Sequence, residues 1–571
     1  MTSRYDAVVA GAGAGGAAAA WRLCAQGLKV LLLEAGPRFD PLLDYMLHLP
    51  DWERQVMPRR RGSQAEISFG AFAHLDPGER SLRSWNAAFG PIVRGETREP
   101  MGPGYWHVLG VGGSTLAFVG ESHRLHPQAM QLRSRFGVGC DWPITYADLE
   151  SYYGLCEQLI GVAGPAEQGA RWRSTPFPLP PHPLSPAAKR LQAAGARLGM
   201  DWQANSRAAL SMPYDGRPAC NYCGNCSRGC PVGDKGSADV TFIRKAEQTG
   251  RLALRSDSRL LRLHPAAGGR IASIEYVKGK TAYRVETPVL VLAAGAIQTP
   301  RLLLANRSRQ HPHGLANSSR QVGRNFMESV FWSSTGILPD LGNSHVGLPS
   351  DAICWDFNGP QGIPDVVGGC RFHSAVQEIG LVGPIAYASR IVKGFGRALK
   401  EGVRNQFGHC LSVGAFGEFL PNDESRVDLD PTRKDAFGMA LPRIHSHLGQ
   451  PEISRLRFMA AQSRRLLQEA GASTLVEEYG AWDLFSATHV FGTCRMGASA
   501  DNAVVDAQGR SHDHPNLYIT DASVFPSSGG GEAPSLTIQA FALRAADSIV
   551  SGKVASGRPG GTQDRQQPFI A

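Results

Sequence analysis

Long apolar runs are missing from this sequence. No stretch of 18 or more apolar residues occurs, so no membrane span is expected. The chain enters an apolar strand pattern within about five residues, too soon for the charged region, apolar core and cleavage site of an export signal. A cytoplasmic location is the default expectation; export to the periplasm would need a partner that carries the signal. A G-x-S-x-G elbow and an H-E-x-x-H helix are both absent, which argues against a non-redox hydrolase. No internal repeat is visible. Charged residues make up only 19%, and a net charge of +9 over 571 residues needs no nucleic-acid partner. Arg59-Arg60-Arg61 is an isolated cluster that reads as a solvated loop, although a basic surface would suit an acidic partner protein.

What is present is a dinucleotide finger at the N-terminus. Ala7 to Ala10 reads as a buried strand, and Gly11, Gly13 and Gly16 supply a G-x-G-x-x-G turn. A helical stretch from Ala17 to Cys24 follows, then a second apolar strand, Lys29 to Leu33, ending on Glu34. Gly11 allows the tight turn, Gly13 lets backbone approach a pyrophosphate, and Gly16 lets helix pack on strand. The helix N-terminus faces the anion, and Glu34 is placed to accept a ribose hydroxyl. The finger alone leaves NAD and FAD both open.

At 571 residues the chain exceeds one small core, and 66 glycines with 38 prolines suggest many turns and close backbone approaches. Gly110 to Thr115 is a second glycine-rich turn. Thr145 with Asp148 makes a near capping box, and Ser185-Pro186 caps a helix over 187–198. Leu252 to Leu263 and Ile271 to Val277 alternate as strands. Pro288 to Leu304 is again strand, glycine turn and helix start, so the nucleotide domain is expected to be discontinuous. Short β-like runs from about 331 to 490 would form a second, substrate-covering lobe, with re-entry to the first domain near Asn516 to Asp521.

Seven of the eleven cysteines are scattered, as expected of buried thiols, whereas Cys220, Cys223, Cys226 and Cys230 have C-x2-C-x2-C-x3-C-P spacing. That spacing suits iron–sulfur ligation, a zinc site, or a cysteine-rich turn without metal.

Seven motifs taken in order resemble the glucose-methanol-choline (GMC) oxidoreductases, a flavoprotein family. They are the finger, Gly112-Gly113-Ser114-Thr115, Gly295 to Leu303, Val322 to Met327, His489-Val-Phe-Gly-Thr-Cys-Arg-Met-Gly497, Asn516 to Ser523 and Leu536 to Ala540. The resemblance implies an α/β fold: a discontinuous Rossmann-like FAD-binding domain (1–45, 100–125, 220–330, 500–555) beside an α+β substrate domain on an antiparallel sheet (126–219, 331–499). Residues 46–99 would form a lid and 557–571 a disordered tail.

It implies FAD, with Gly11, Gly13 and Gly16 at the pyrophosphate and Glu34 at the adenosine ribose. Gly113 and Ser114 would lie beside the flavin and its phosphates, and Gly295 and Ala296 near the adenosine half. Asp521 and Ala522 would lie near the diphosphate and ribityl chain, and Thr537 near the ring. His489 would be the catalytic base, with a pKa suited to taking a hydroxyl proton. The family's second active-site residue, His or Asn, is missing here; Glu532 and Ala533 compete for its place, with Glu532 favoured. The implied reaction is oxidation of a CH–OH group on a sugar, polyol, sugar acid or glycoside. Electrons would pass to a cytochrome or quinone, in the manner of large subunits that work with a small subunit and a cytochrome c. Some members of the family hold an iron–sulfur cluster (3Fe–4S or 4Fe–4S here) in a cysteine-rich segment, with a different spacing. An oxygen-using oxidase that makes hydrogen peroxide, and a flavin-containing lyase, are the alternatives.

Overall fold

The computed structural model describes residues 5–45, 60–62, 66–69, 77–92, 99–100, 105–165, 171–485, 489–556 and 564–568. The lid expected over 46–99 therefore lies largely outside the described residues. Strand β1 (Ala7–Ala10), helix α1 (Ala14–Ala25) and strand β2 (Val30–Leu33) form the first unit of a five-stranded parallel sheet. The sheet order is Leu252–Arg255, β2, β1, Leu290–Leu292, Leu517–Ile519. β1 and β2 are buried along their whole length, as parallel strands covered on both faces must be. The sheet draws strands from positions hundreds of residues apart, so it is assembled from discontinuous segments of the chain. Helix Ser535–Ser556 packs on α1 and on helix Ala147–Ile160, and Arg22 pairs with Asp547 at 2.7 Å.

The second sheet has eight strands, all antiparallel, with Val330–Ile337, Cys410–Gly417 and Cys370–Ser374 at its centre. Val330–Ile337 is flanked on its other side by Thr474–Gly480. Helix Gln450–Glu469 covers one face. The other face carries Arg371 and His373, two residues apart and so on the same side of the strand.

Three local expectations have a direct outcome. Ser185 caps helix Pro186–Arg197 by accepting the Ala188 N–H at 3.1 Å. The run expected as one strand from Leu252 to Leu263 is two, Leu252–Arg255 in the parallel sheet and Ser258–Pro265 in an antiparallel meander. The break falls at Asp257, whose φ of 52° is left-handed and whose N–H donates to Gly36 O. Within the tail expected to be disordered, Asp564–Pro568 pairs antiparallel with Thr281–Glu286.

Candidate functional site

The finger closes on backbone alone. Gly11 has φ +104°, and its N–H donates to Leu33 O at 2.8 Å. A Cβ on Gly16 would lie 1.8 Å from Gly11 O, and one on Gly15, outside the G-x-G-x-x-G pattern, 1.9 Å from Thr520 O. Gly13 is different: the nearest atom to its Cβ position is Gly113 Cα, at 3.8 Å. Helix α1 starts at Gly13 with no side-chain cap and no acidic residue in its first turn. Its free N–H groups and positive dipole end are therefore directed at a space bounded by two apposed glycine turns. Ser114 is exposed there, its hydroxyl accepting the Val108 N–H at 3.3 Å.

Glu34 is buried at the end of β2 and accepts N–H bonds from Ala12 and Gly36, both at 2.9 Å. Burial pushes its carboxyl up to about 7 against these bonds. Gly295 (φ +87°) has no atom within 4 Å of its Cβ position, so backbone is open to a ligand there too. An uncapped helix N-terminus, a buried carboxylate and open glycine backbone together fit the adenosine-diphosphate part of a dinucleotide.

Asp521 organises the junction with the rest of the site. Its carboxylate accepts from Gly295 N (2.9 Å), Thr299 Oγ1 (2.6 Å) and Ser523 N (2.9 Å), so its oxygens hold the 295 turn against the 521–524 turn. That second turn is zipped to the His489 motif: Gly492 N donates to Ala522 O, Cys494 N to Ser523 O and Met496 N to Val524 O. A further tie comes from a proline. Pro300 lies inside helix Gly295–Ala305 and has no N–H for the carbonyl of Ala296. The Thr493 hydroxyl donates to that carbonyl instead, at 2.6 Å.

His489 is thus fixed relative to the cofactor turns by backbone. Its ring Nδ1 lies 3.2 Å from Ser329 Oγ, and its carbonyl accepts the Ser329 N–H at 3.0 Å. The ring rests against Phe416, centroids 5.3 Å apart. Burial, with Arg371 adding to it, lowers the imidazole to about 4, so it is neutral at ordinary pH. With Nδ1 occupied by Ser329, Nε2 is the nitrogen left for a substrate proton.

Around it lies a buried charged group that the sequence did not announce. Arg371 pairs with Glu121 at 2.5 Å, donates from Nε to Gly531 O at 2.7 Å and lies over the Phe416 ring. His373 pairs with Glu378 at 2.6 Å and stacks nearly parallel on Phe416, at 5.4 Å. The opposing strand position is Gly414, whose Cβ would lie 2.4 Å from the His373 ring, so that ring has room only against glycine. Burial works to raise the Glu121 and Glu378 carboxyls, but Arg371 and His373 respectively outweigh it and hold both below their ordinary value.

The two candidates for the second active-site position are placed differently. Glu532 is 2% exposed; its Oε1 accepts from His126 N (3.1 Å) and Arg171 Nη2 (3.2 Å), while Oε2 is buried without a hydrogen-bond partner. Ala533 offers only a methyl group, and its N–H donates to His123 Nδ1 at 3.0 Å. Neither side chain hydrogen-bonds His489. Thr537, one turn into the last helix, shares a 2.9 Å hydrogen bond with Tyr153 OH.

The cysteine-rich segment does not fit a metal cluster. Cys223 is exposed, Cys226 is buried, and Cys220 and Cys230 are intermediate. The Cys230 thiol donates to Asp234 at 2.9 Å, and Cys220 accepts the Tyr222 N–H at 3.4 Å. Burial pushes the Cys220, Cys226 and Cys230 thiols up. Among the described residues no three His, Cys, Asp or Glu side chains form a metal-holding group. The expected iron–sulfur ligation by Cys220, Cys223, Cys226 and Cys230 is thus unsupported, although the spacing is right.

Comparison with known proteins shows the family. Residues 9–39 match an NAD(P)-binding Rossmann-like domain, and residues 179–330 and 421–542 match GMC oxidoreductase. The chain is 30% identical to the fructose dehydrogenase large subunit of Gluconobacter japonicus, over 96% of this chain and 98% of that one. It is 31% identical to 6'''-hydroxyparomomycin C oxidase of Streptomyces lividus, over 96% and 91%. The fold is shared with pyridoxine 4-oxidase from Mesorbium loti, with a TM-score of 0.62 at 17% identity, covering 95% of this chain and 99% of that one. With a relative this similar along nearly its whole length, the chain belongs to the GMC oxidoreductases, FAD flavoproteins that act on CH–OH groups.

Proposed function

We propose that this protein oxidises a CH–OH group of a sugar or glycoside, with His489 as the base. The observation that carries the reading is the state of His489: neutral, tethered at Nδ1 by Ser329, and held to the cofactor turns by the 492–496 ladder. Nε2 takes the hydroxyl proton as the carbon gives up hydride, and general-base catalysis of this kind contributes roughly 10²- to 10⁴-fold. FAD supplies the two-electron acceptor for that hydride. The imidazolium so formed is favoured by the buried carboxylates of Glu121 and Glu378 and opposed by Arg371. Ser329 fixes which nitrogen faces substrate. Glu532 is kept in this reading as a group that shapes the substrate site through Arg171, not as the partner of His489.

The acceptor in this reading is a carrier, a cytochrome c or quinone, reached with a small subunit. Likeness to a fructose dehydrogenase large subunit over 98% of its length supports it, and a chain of net charge +9 suits an acidic carrier. An oxygen-using oxidase is the second reading, supported by the likeness to the Streptomyces lividus 6'''-hydroxyparomomycin C oxidase. Two experiments decide. Anaerobic addition of a sugar panel is expected to bleach the flavin absorbance; turnover without bleaching would point to a lyase and overturn the reading. Oxygen uptake well below the rate with an artificial electron acceptor is expected; equal rates would favour the oxidase.

A further inference from the structure

A cleft of about 380 Å³ lies beside the 528–533 loop and has no role in the account so far. It is lined by Trp172 and Trp355, with exposed Asp356 and Gln361 and buried Asn358 beside them. Trp172 is 38% exposed although it is an indole, and it sits at φ +49°, a backbone conformation that costs a bulky residue energy. Its carbonyl is pinned by Tyr146 OH at 2.9 Å, and its ring meets His126 edge-on at 4.5 Å. The exposed face is therefore held in place.

Arg171 forms the floor. Its guanidinium lies 3.6 Å from the Trp355 ring centre and 4.5 Å from that of Trp172. Nη2 is engaged by Asn358 Oδ1 and Glu532, while Nη1 is buried with no hydrogen-bond partner. The cleft thus holds an aromatic wall with the exposed amide of Gln361 and the exposed carboxylate of Asp356. No Leu, Ile, Val or Met lines it among the described residues, so a long-chain aliphatic ligand would strand polar groups. The charge of Arg171 is already met by Glu532, and Asp356 adds a further negative charge, so an anion is disfavoured. A ring with an apolar C–H face and a hydroxyl rim matches both halves of the lining.

The cleft also touches the reaction loop twice. Arg171 pairs with Glu532, and Trp355 packs edge-on, at 4.8 Å, against His123, which accepts the Ala533 N–H. We propose that this cleft holds the non-reacting ring of a glycoside substrate, stacked on Trp172, while the ring to be oxidised lies at His489. The inference rests on the sugar-oxidising function proposed above, and it narrows the substrate class from any CH–OH compound to one of at least two linked rings.

The test uses the FAD-loaded enzyme and Trp172→Ala, compared only where flavin content and Tm equal those of the wild type. Glucose, fructose, maltose, cellobiose and paromamine are compared as reductants of the flavin under anaerobic conditions. Two-ring substrates are expected to show the lower KM, and Trp172→Ala is expected to raise it about five- to tenfold with kcat kept, leaving one-ring sugars unaffected. Equal KM changes for one-ring and two-ring sugars, or no change for either, would overturn the proposal. Calorimetric titration of maltose, cellobiose and paromamine into the His489→Asn holoenzyme, with and without Trp172→Ala, reads the cleft without turnover. Saturable binding lost with the indole supports it; no saturable binding of any of the three defeats it. Flavin left unbleached by all five compounds would instead defeat the sugar-oxidising function itself.

Discussion

The two sides of the proposed active site are made of different materials. On the cofactor side the working parts are backbone: the first turn of α1, the Gly13–Gly113 approach and the open Gly295 turn. On the substrate side they are side chains, with Arg371, His373, Glu121 and Glu378 paired in the interior around Phe416. Backbone sites tolerate no added atoms, whereas side-chain sites tolerate no unmatched charge. The two should therefore fail in different ways when altered.

The largest effect is expected at the finger. Gly16→Val would drive side-chain atoms into the Gly11 carbonyl, 1.8 Å from where a Cβ must sit, and should yield no soluble flavoprotein. Gly13→Ala sharpens the point, because its Cβ meets nothing nearer than 3.8 Å. That variant should fold with unchanged far-UV circular dichroism yet bind FAD about tenfold more weakly, since only the cofactor's approach is obstructed. If both variants fold and load FAD equally, the backbone account of the finger is wrong.

On the substrate side, Arg371→Ala leaves Glu121 buried without its cation. Unpairing a buried ion pair costs about 3–5 kcal/mol, and denaturant unfolding should show a loss of that size with flavin spectrally normal in the surviving fold. A loss under 1 kcal/mol would mean the pair is not buried as described.

A smaller effect is expected at Glu418. Both its carboxylate oxygens are buried without hydrogen-bond partners, and burial raises its carboxyl from 4.5 to about 7. The folded protein holds this proton more tightly than the unfolded chain. The resulting stability is full below about pH 4.5 and is lost as pH rises through 7. Glu418→Gln removes the ionisation and should stabilise the protein by about 1–3 kcal/mol at pH 8 while doing little at pH 5. An equal effect at both pH values would show that Glu418 does not titrate in this range.

The same contrast explains what could be read in the sequence. Gly11, Gly13, Gly16 and Glu34 lie within one strand–helix–strand unit, so local spacing encodes their geometry. Gly295, Asp521 and His489 were legible as motifs, although their mutual ties were not. Nothing in the sequence says that Thr493 would replace the N–H missing at Pro300, because that need arises only once the helix exists. Glu121 and Arg371 stand 250 positions apart, and strand alternation tells which face a residue takes but not what it meets there. Gly414 was the one faint signal, a small residue inside a strand where another ring must fit. The cysteine spacing was legible too, but spacing sets only which sulfurs can converge, and among the described residues no three His, Cys, Asp or Glu side chains form a metal-holding group. Glu532 was favoured over Ala533 because a carboxylate can accept a hydroxyl or pair with a charged histidine; its Oε1 accepts from Arg171 and the His126 backbone N–H, and its Oε2 has no hydrogen-bond partner.

The central claim is that a neutral His489 takes the substrate proton, and anaerobic stopped-flow reduction of the bound flavin across pH tests it most directly. A base held at about 4 is already deprotonated at pH 5. Wild-type reduction is therefore expected to be level from pH 5 to 8 and to fall as pH drops through about 4. His489→Asn should keep its FAD, lose that inflection and reduce about 10²- to 10⁴-fold more slowly. Reduction by His489→Asn at the wild-type rate, with the same pH profile, would contradict the account.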